Sequence, residues 1–188
     1  MPDYVGRRWK PGGLVIVGQD PGVATRSRVR TVLMLDNRGC ALSKYIERDI
    51  LGPVGLDVNR ICAINLVPDN PGASLYVQSA RSGVPFYDLV TSLAKDTWPS
   101  FEMKMRTYQP GFILTLGKPV FLALNSILNL NLKWNPEVVG KITPIRIADR
   151  SLGWIPCVHI RTYRRHEYYR REQPSRLRQI AEIVRQTR

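Results

Sequence analysis

Short runs of apolar, largely β-branched residues are spaced along the chain, and between them apolar residues recur at helical intervals. Four runs predict strands: Leu14–Val17, Arg60–Leu66, Gly111–Leu116 and Trp154–His159. Three of them end at a Gly or Pro turn, and Pro156 makes the fourth start late or lie at an edge. Ile142–Ile147 has the composition of an extra strand within the stretch 129–151, which is otherwise hard to assign. Helical spacing predicts helices over Ser43–Leu51, Tyr87–Asp96, Lys118–Leu128 and Ser175–Gln186. Ser43 is a candidate N-cap for the first, and Pro119 suits the first turn of the third. Strands alternating with helices predict an α/β fold. The expected form is a three-layer αβα sandwich with a central, mainly parallel four-stranded sheet.

The length of 188 residues suits one such domain, ending in a basic segment, 161–188. Charge changes the picture: 28 Lys+Arg against 15 Asp+Glu give a formal +13, which favours a polyanionic partner. Cys40, Cys62 and Cys157 are far apart, with no Cys-x-x-Cys spacing. They read as buried free thiols, so no metal and no cofactor is expected, and a cytoplasmic location fits. No apolar run follows the first residues and none reaches the roughly 20 residues that span a bilayer, so neither a signal peptide nor a membrane is expected.

Three polar residues follow three of the predicted strands. Asp20 lies in the turn Gly18-Gln19-Asp20-Pro21-Gly22, Asn65 at the end of the second strand, and His159 at the end of the fourth. Parallel strands would bring all three to one edge, where open α/β sheets keep their ligand crevice. A carboxylate, an amide and an imidazole there could surround one small planar ligand. Each also has a plainer reading: Asp20 as a turn cap, Asn65 as a tie for the Pro-rich loop after it, His159 as a structural histidine. A nucleotide-phosphate site fits less well, because the turn lacks a Gly-x-Gly-x-x-Gly or Walker pattern and carries a carboxylate.

The order of these motifs resembles the uracil-DNA glycosylase superfamily. Gly18-Gln19-Asp20-Pro21-Gly22 resembles its first motif, and Asn65-Leu66-Val67-Pro68-Asp69-Asn70-Pro71 its Asn-Val-Val-Lys-Cys-Arg-Pro segment. Ile113-Leu114-Thr115-Leu116-Gly117-Lys118 resembles the strand and turn before a later helix, and His159 falls where a His-Pro-Ser motif is expected. The resemblance spans roughly residues 12–186. It implies a monofunctional enzyme of base excision repair, acting as a monomer on uracil-containing or deaminated DNA. The target base would be flipped out and its N-glycosidic bond hydrolysed. Asp20 and His159 would be catalytic, and Gln19, Gly22, Asn65 and Met34 would surround the base. The chain departs from the family at Gly22-Val23, where classical members have a thymine-blocking Tyr. It departs again at Ile160-Arg161, in place of Pro-Ser, and lacks the four cluster-binding cysteines of one branch. No aromatic residue lies between Val23 and Lys44, so Met34, Leu33 or Leu35 would replace the usual stacking ring. A catalytically silent member that binds nucleic acid is the alternative.

Basic residues cluster beside these motifs. Arg26 and Arg28 follow the first, Lys118 opens a helix, and Arg161, Arg164 and Arg165 interleave with Tyr163 after His159. Phosphate contact is expected from the basic residues, with insertion or stacking by Tyr163. His166 reads as a surface residue.

Overall fold

In a computed structural model, the described residues are 2–20, 32–36, 39–67 and 74–186. They form an α/β fold around one six-stranded mixed sheet. The strands are β1 (Tyr4–Val5), β2 (Leu14–Gly18), β3 (Ile61–Asn65), β4 (Phe112–Leu116), β5 (Thr143–Ile147) and β6 (Arg150–Cys157). Their order is β1-β3-β2-β4-β6-β5. The four central strands, β3-β2-β4-β6, run parallel, while β1 and β5 are antiparallel to their neighbours.

The expected four-stranded sheet is therefore the centre of a wider one. β5 is the extra strand over most of Ile142–Ile147, and its hairpin with β6 draws the start of β6 back to Arg150. Pro156 is tolerated because β5 pairs with β6 only as far as Trp154, so no neighbour on that side needs its missing N–H.

Helices close both faces of the sheet. On one face Leu14, Ile16, Ala63, Leu114 and Ile155 meet α1 (Ala41–Tyr45), a π-helical stretch (Ile46–Leu51) and the turn α2 (Gly52–Val54). The C-terminal helices α7 (Ile160–Arg165), α8 (Glu167–Gln179) and α9 (Ala181–Gln186) complete that layer. On the other face Val15, Val17, Ile64, Ile113 and Trp154 meet α3 (Leu75–Ser82), α4 (Phe86–Asp96), α5 (Trp98–Tyr108) and α6 (Lys118–Ile127). Thr115, buried among these, accepts a 2.9 Å hydrogen bond from the Trp154 indole, so neither polar group is left unsatisfied.

Two local readings need correction. The cap of α1 is Cys40, whose Sγ accepts from the Ser43 amide at 3.2 Å; Ser43 is buried and its hydroxyl binds Glu47. The last predicted helix is two helices broken at Ile180, and α8 begins upstream of Pro174. That proline cannot donate to the Arg170 carbonyl, and the Tyr163 hydroxyl reaches this carbonyl instead, at 3.5 Å. No disulfide forms: Cys62 and Cys157 are buried thiols, and burial pushes Cys62 up to about 12.

Candidate active site at the carboxyl edge of the sheet

β3 and β4 lie on opposite sides of β2, so the chain's direction of winding reverses at β2. Such a reversal opens a crevice outside the carboxyl ends of the strands. Gly18, Gln19 and Asp20 leave β2 at this point. The ladder continues beyond the strands, with Leu66 N donating to Gly18 O at 2.8 Å and Val67 N to Gln19 O at 2.9 Å. The backbone under Asp20 is thus held by the sheet. Gln19 Nε2 donates to Asp20 Oδ1 at 2.8 Å, which orients the carboxylate.

Asn65 stands directly across from Gly18 in the β2–β3 register. The residue is 3% exposed, yet among the described residues neither Oδ1 nor Nδ2 has a hydrogen-bond partner. Leaving a buried amide unpaired costs about 1–3 kcal/mol, so this is an expensive arrangement for the fold. Gly18 is what makes room for it: a Cβ there would lie 2.7 Å from Asn65 Oδ1 and 2.7 Å from Leu33 Cδ2.

Leu33 therefore covers this spot. It and Met34 adopt left-handed backbone, at φ 59° and 57°, a conformation disfavoured for both residues. Among the three candidates for replacing a stacking ring, Leu33 is the one whose side chain lies nearest a Cβ at Gly18, and Leu35 is buried in the core.

His159 arrives from β6. A Cβ on Gly117, just after β4, would lie 3.2 Å from the His159 Cβ, a tight contact, and the φ of +95° at Gly117 is what favours glycine there. His159 caps α7, its Nδ1 accepting from the Arg161 amide at 3.3 Å. An accepting Nδ1 carries no proton, so the neutral ring carries its proton on Nε2. Burial, and secondarily the Arg161 charge, hold its pKa below the ordinary histidine value. The imidazole is neutral at pH 7 and presents an Nε2–H donor.

A buried network fixes the residue before it. The Val158 amide donates to Gln173 Oε1 at 2.8 Å, the Val158 carbonyl accepts from Tyr45 Oη at 2.7 Å, and Gln173 Nε2 donates to Tyr45 Oη at 2.9 Å. Both backbone groups of Val158 are thus satisfied by side chains from helices on one face. Helical spacing marks Tyr45 as an apolar position of Ser43–Leu51 without revealing the partners of its hydroxyl, and a glutamine in a polar helix such as Gln173 carries no signal until its partner is known. Gln173→Leu is expected to leave the Val158 amide unpaired and to cost about 2 kcal/mol. Urea denaturation would show this as a lowered midpoint with an unchanged slope.

The remaining predicted residues divide sharply. Arg161, Arg164 and Arg165 are exposed on α7, with no ion pair among the described residues. Lys118 is exposed at the head of α6, its Nζ 5.1 Å above the Tyr87 ring. Tyr163 does not face outward. It is buried, packs on the Tyr45 ring at 4.7 Å, and burial followed by the Asp49 carboxylate pushes it up to about 12. A core role replaces the expected stacking role. Gly22, Arg26 and Arg28 lie outside the described residues.

Asn65 and His159 are three strand steps apart, about 14 Å between backbones at ~4.8 Å per step. Both therefore stand at the same carboxyl edge of the sheet, with β2 and β4 between them. Among the described residues, no group of three or more His, Cys, Asp or Glu side chains could hold a metal ion, and no helix is long and apolar enough to cross a membrane. No protein-family model matches the chain, and no curated protein matches it.

Proposed function

We propose that the chain is a DNA glycosylase that flips out uracil or another deaminated base and hydrolyses its N-glycosidic bond. The observation that carries this reading is the Asn65 carboxamide: buried, unpaired in both directions, and accommodated only because position 18 is glycine. A donor and an acceptor side by side match the N3–H/O4 edge of uracil. The motif resemblance and the shared sheet edge of Asp20, Asn65 and His159 support the same reading.

The chemistry follows from residue types. As the glycosidic bond breaks, its electron pair leaves with the base and the sugar becomes cationic. Asp20 stabilises that cation and accepts a proton from the water that attacks C1′. His159, neutral, donates its Nε2–H to the developing negative charge on the base. No residue change is needed to keep the imidazole neutral, since burial already does so.

That neutrality has a measurable sign. A histidine whose pKa is depressed on folding binds more protons when unfolded, so its contribution to stability falls as pH drops through the ordinary value near 6.5. In an NMR titration His159 is expected to titrate below 6.5. Arg161→Gln is expected to raise it only partway, because burial is the larger cause. A His159 midpoint at or above 6.5 in the unaltered protein would show that burial does not depress it, and one well above 7 would rule out this neutral-donor role.

The unpaired Arg161, Arg164 and Arg165 by themselves favour a second reading, a nucleic-acid binder without excision. Abasic-site formation across uracil, hypoxanthine, xanthine and thymine-mismatch oligonucleotides separates the two. Excision of at least one base supports the enzyme; salt-dependent binding with every base left intact supports the binder.

A further inference from the structure

Four large apolar side chains, Tyr76, Val77, Val84 and Tyr87, stand exposed within one short stretch spanning α3 and the start of α4. Tyr76 is 61% exposed and Tyr87 40%. They are not loose. The Tyr76 ring lies flat on Phe86, centroids 4.0 Å apart and planes 2° apart, and Phe86 meets Tyr87 edge-on at 5.6 Å. Burying two rings against each other holds the outer face of Tyr76 rigidly toward solvent.

The position of this stack gives it meaning. Tyr87 lies under the Lys118 ammonium, Lys118 follows Gly117, and Gly117 abuts His159. An unbroken line of contacts therefore runs from the candidate catalytic histidine to the exposed rings. The cation at its middle has no ion pair among the described residues, and Arg81 is exposed at the end of α3. Asp88, also exposed beside Tyr87, is the opposing charge on this surface.

From this placement we propose that Tyr76 and Tyr87, with Lys118, form a stacking platform for unpaired bases flanking the target nucleotide. The proposal rests on the nucleic-acid reading above and extends it to a preference for single strands. A paired duplex hides its base faces; a single strand offers a π-face at each base for Tyr76 and Tyr87 and a phosphate for Lys118. The chain's +13 charge complements that backbone.

Fluorescence anisotropy with a labelled single-stranded oligothymidylate, against a fully paired duplex of equal length, tests this. Tyr76→Ala and Tyr87→Ala are each expected to weaken single-strand binding roughly tenfold and leave duplex binding unchanged. Tyr76→Phe and Tyr87→Phe should bind as the unaltered protein does. Lys118→Gln should lower the salt dependence of binding by about one ion. Alanine variants that remain folded by circular dichroism and bind the single strand normally would overturn the platform alone. An unaltered protein that binds neither oligonucleotide, or binds anionic vesicles through Tyr76 instead, would overturn the platform and the nucleic-acid reading together. Tyrosine-dependent single-strand binding without any base excision would leave the platform standing and remove the glycosylase reading.

Discussion

Asp20→Asn is expected to lower base excision by about a thousandfold while leaving the fold and DNA binding intact. The effect is electrostatic. A carboxylate about 4 Å from a cationic sugar, at an effective dielectric near 20, is worth about 4 kcal/mol, or roughly 10³ in rate. Asparagine keeps the size and can still accept from Gln19 Nε2, the bond that orients Asp20 at 2.8 Å. The substitution therefore removes the charge and keeps this contact. Single-turnover abasic-site formation is the measurement, with anisotropy as the binding control. An Asp20→Asn protein within tenfold of the unaltered rate would refute the assignment of Asp20 as the charge that meets the sugar.

Asn65→Leu is expected to act in opposite directions on stability and on activity. The residue is 3% exposed, and both polar atoms of its carboxamide lack partners among the described residues. Replacing a buried, unsatisfied amide with an apolar side chain of similar volume removes a desolvation cost, so the fold should gain about 1–2 kcal/mol. Excision should meanwhile fall about a hundredfold or more, because the base's paired edge would face hydrocarbon. Residues kept for recognition show this signature, whereas a structural asparagine would show the reverse: loss of stability with activity following it down. Thermal denaturation and excision kinetics on one preparation distinguish the two.

The sequence made the parallel strands legible for a physical reason. β2, β3 and β4 are buried on both faces, so they read as largely apolar runs bounded by turns. The edge strand β1 escaped because two residues, Tyr4 and Val5, have no periodicity to detect. The helix α5 escaped because only Phe101 and Met105 are buried along it. Part of what anchors it is non-local: Lys104 and Tyr108 bind Asp3, at 2.8 and 2.9 Å, from the far end of the chain.

The same division holds at the site. Asp20, Asn65 and His159 were legible because each follows a recognisable strand. The unpaired state of Asn65 was not, since satisfaction of a polar group depends on everything around it. Tyr163 was misjudged because an Arg-rich run reads as surface, while helical geometry turns this one ring inward onto Tyr45. The exposed stack of Tyr76 and Phe86 was invisible for a related reason: ten residues separate them, and the turn between α3 and α4 brings them face to face.

The hold on Val158 has a consequence for how this protein is made. Gln173 reaches Tyr45 across 128 positions of chain, and Tyr45 reaches Val158 across 113. Contacts that distant close late, after the loops between them have been ordered. A ribosome releases every strand of the sheet before it releases Gln173. A nascent or truncated chain ending before α8 would therefore carry its whole sheet, and Asp20 and Asn65 with it, while the segment bearing His159 still lacked the Gln173 half of its anchor. Completion of the C-terminal helices is the step that sets the histidine in place.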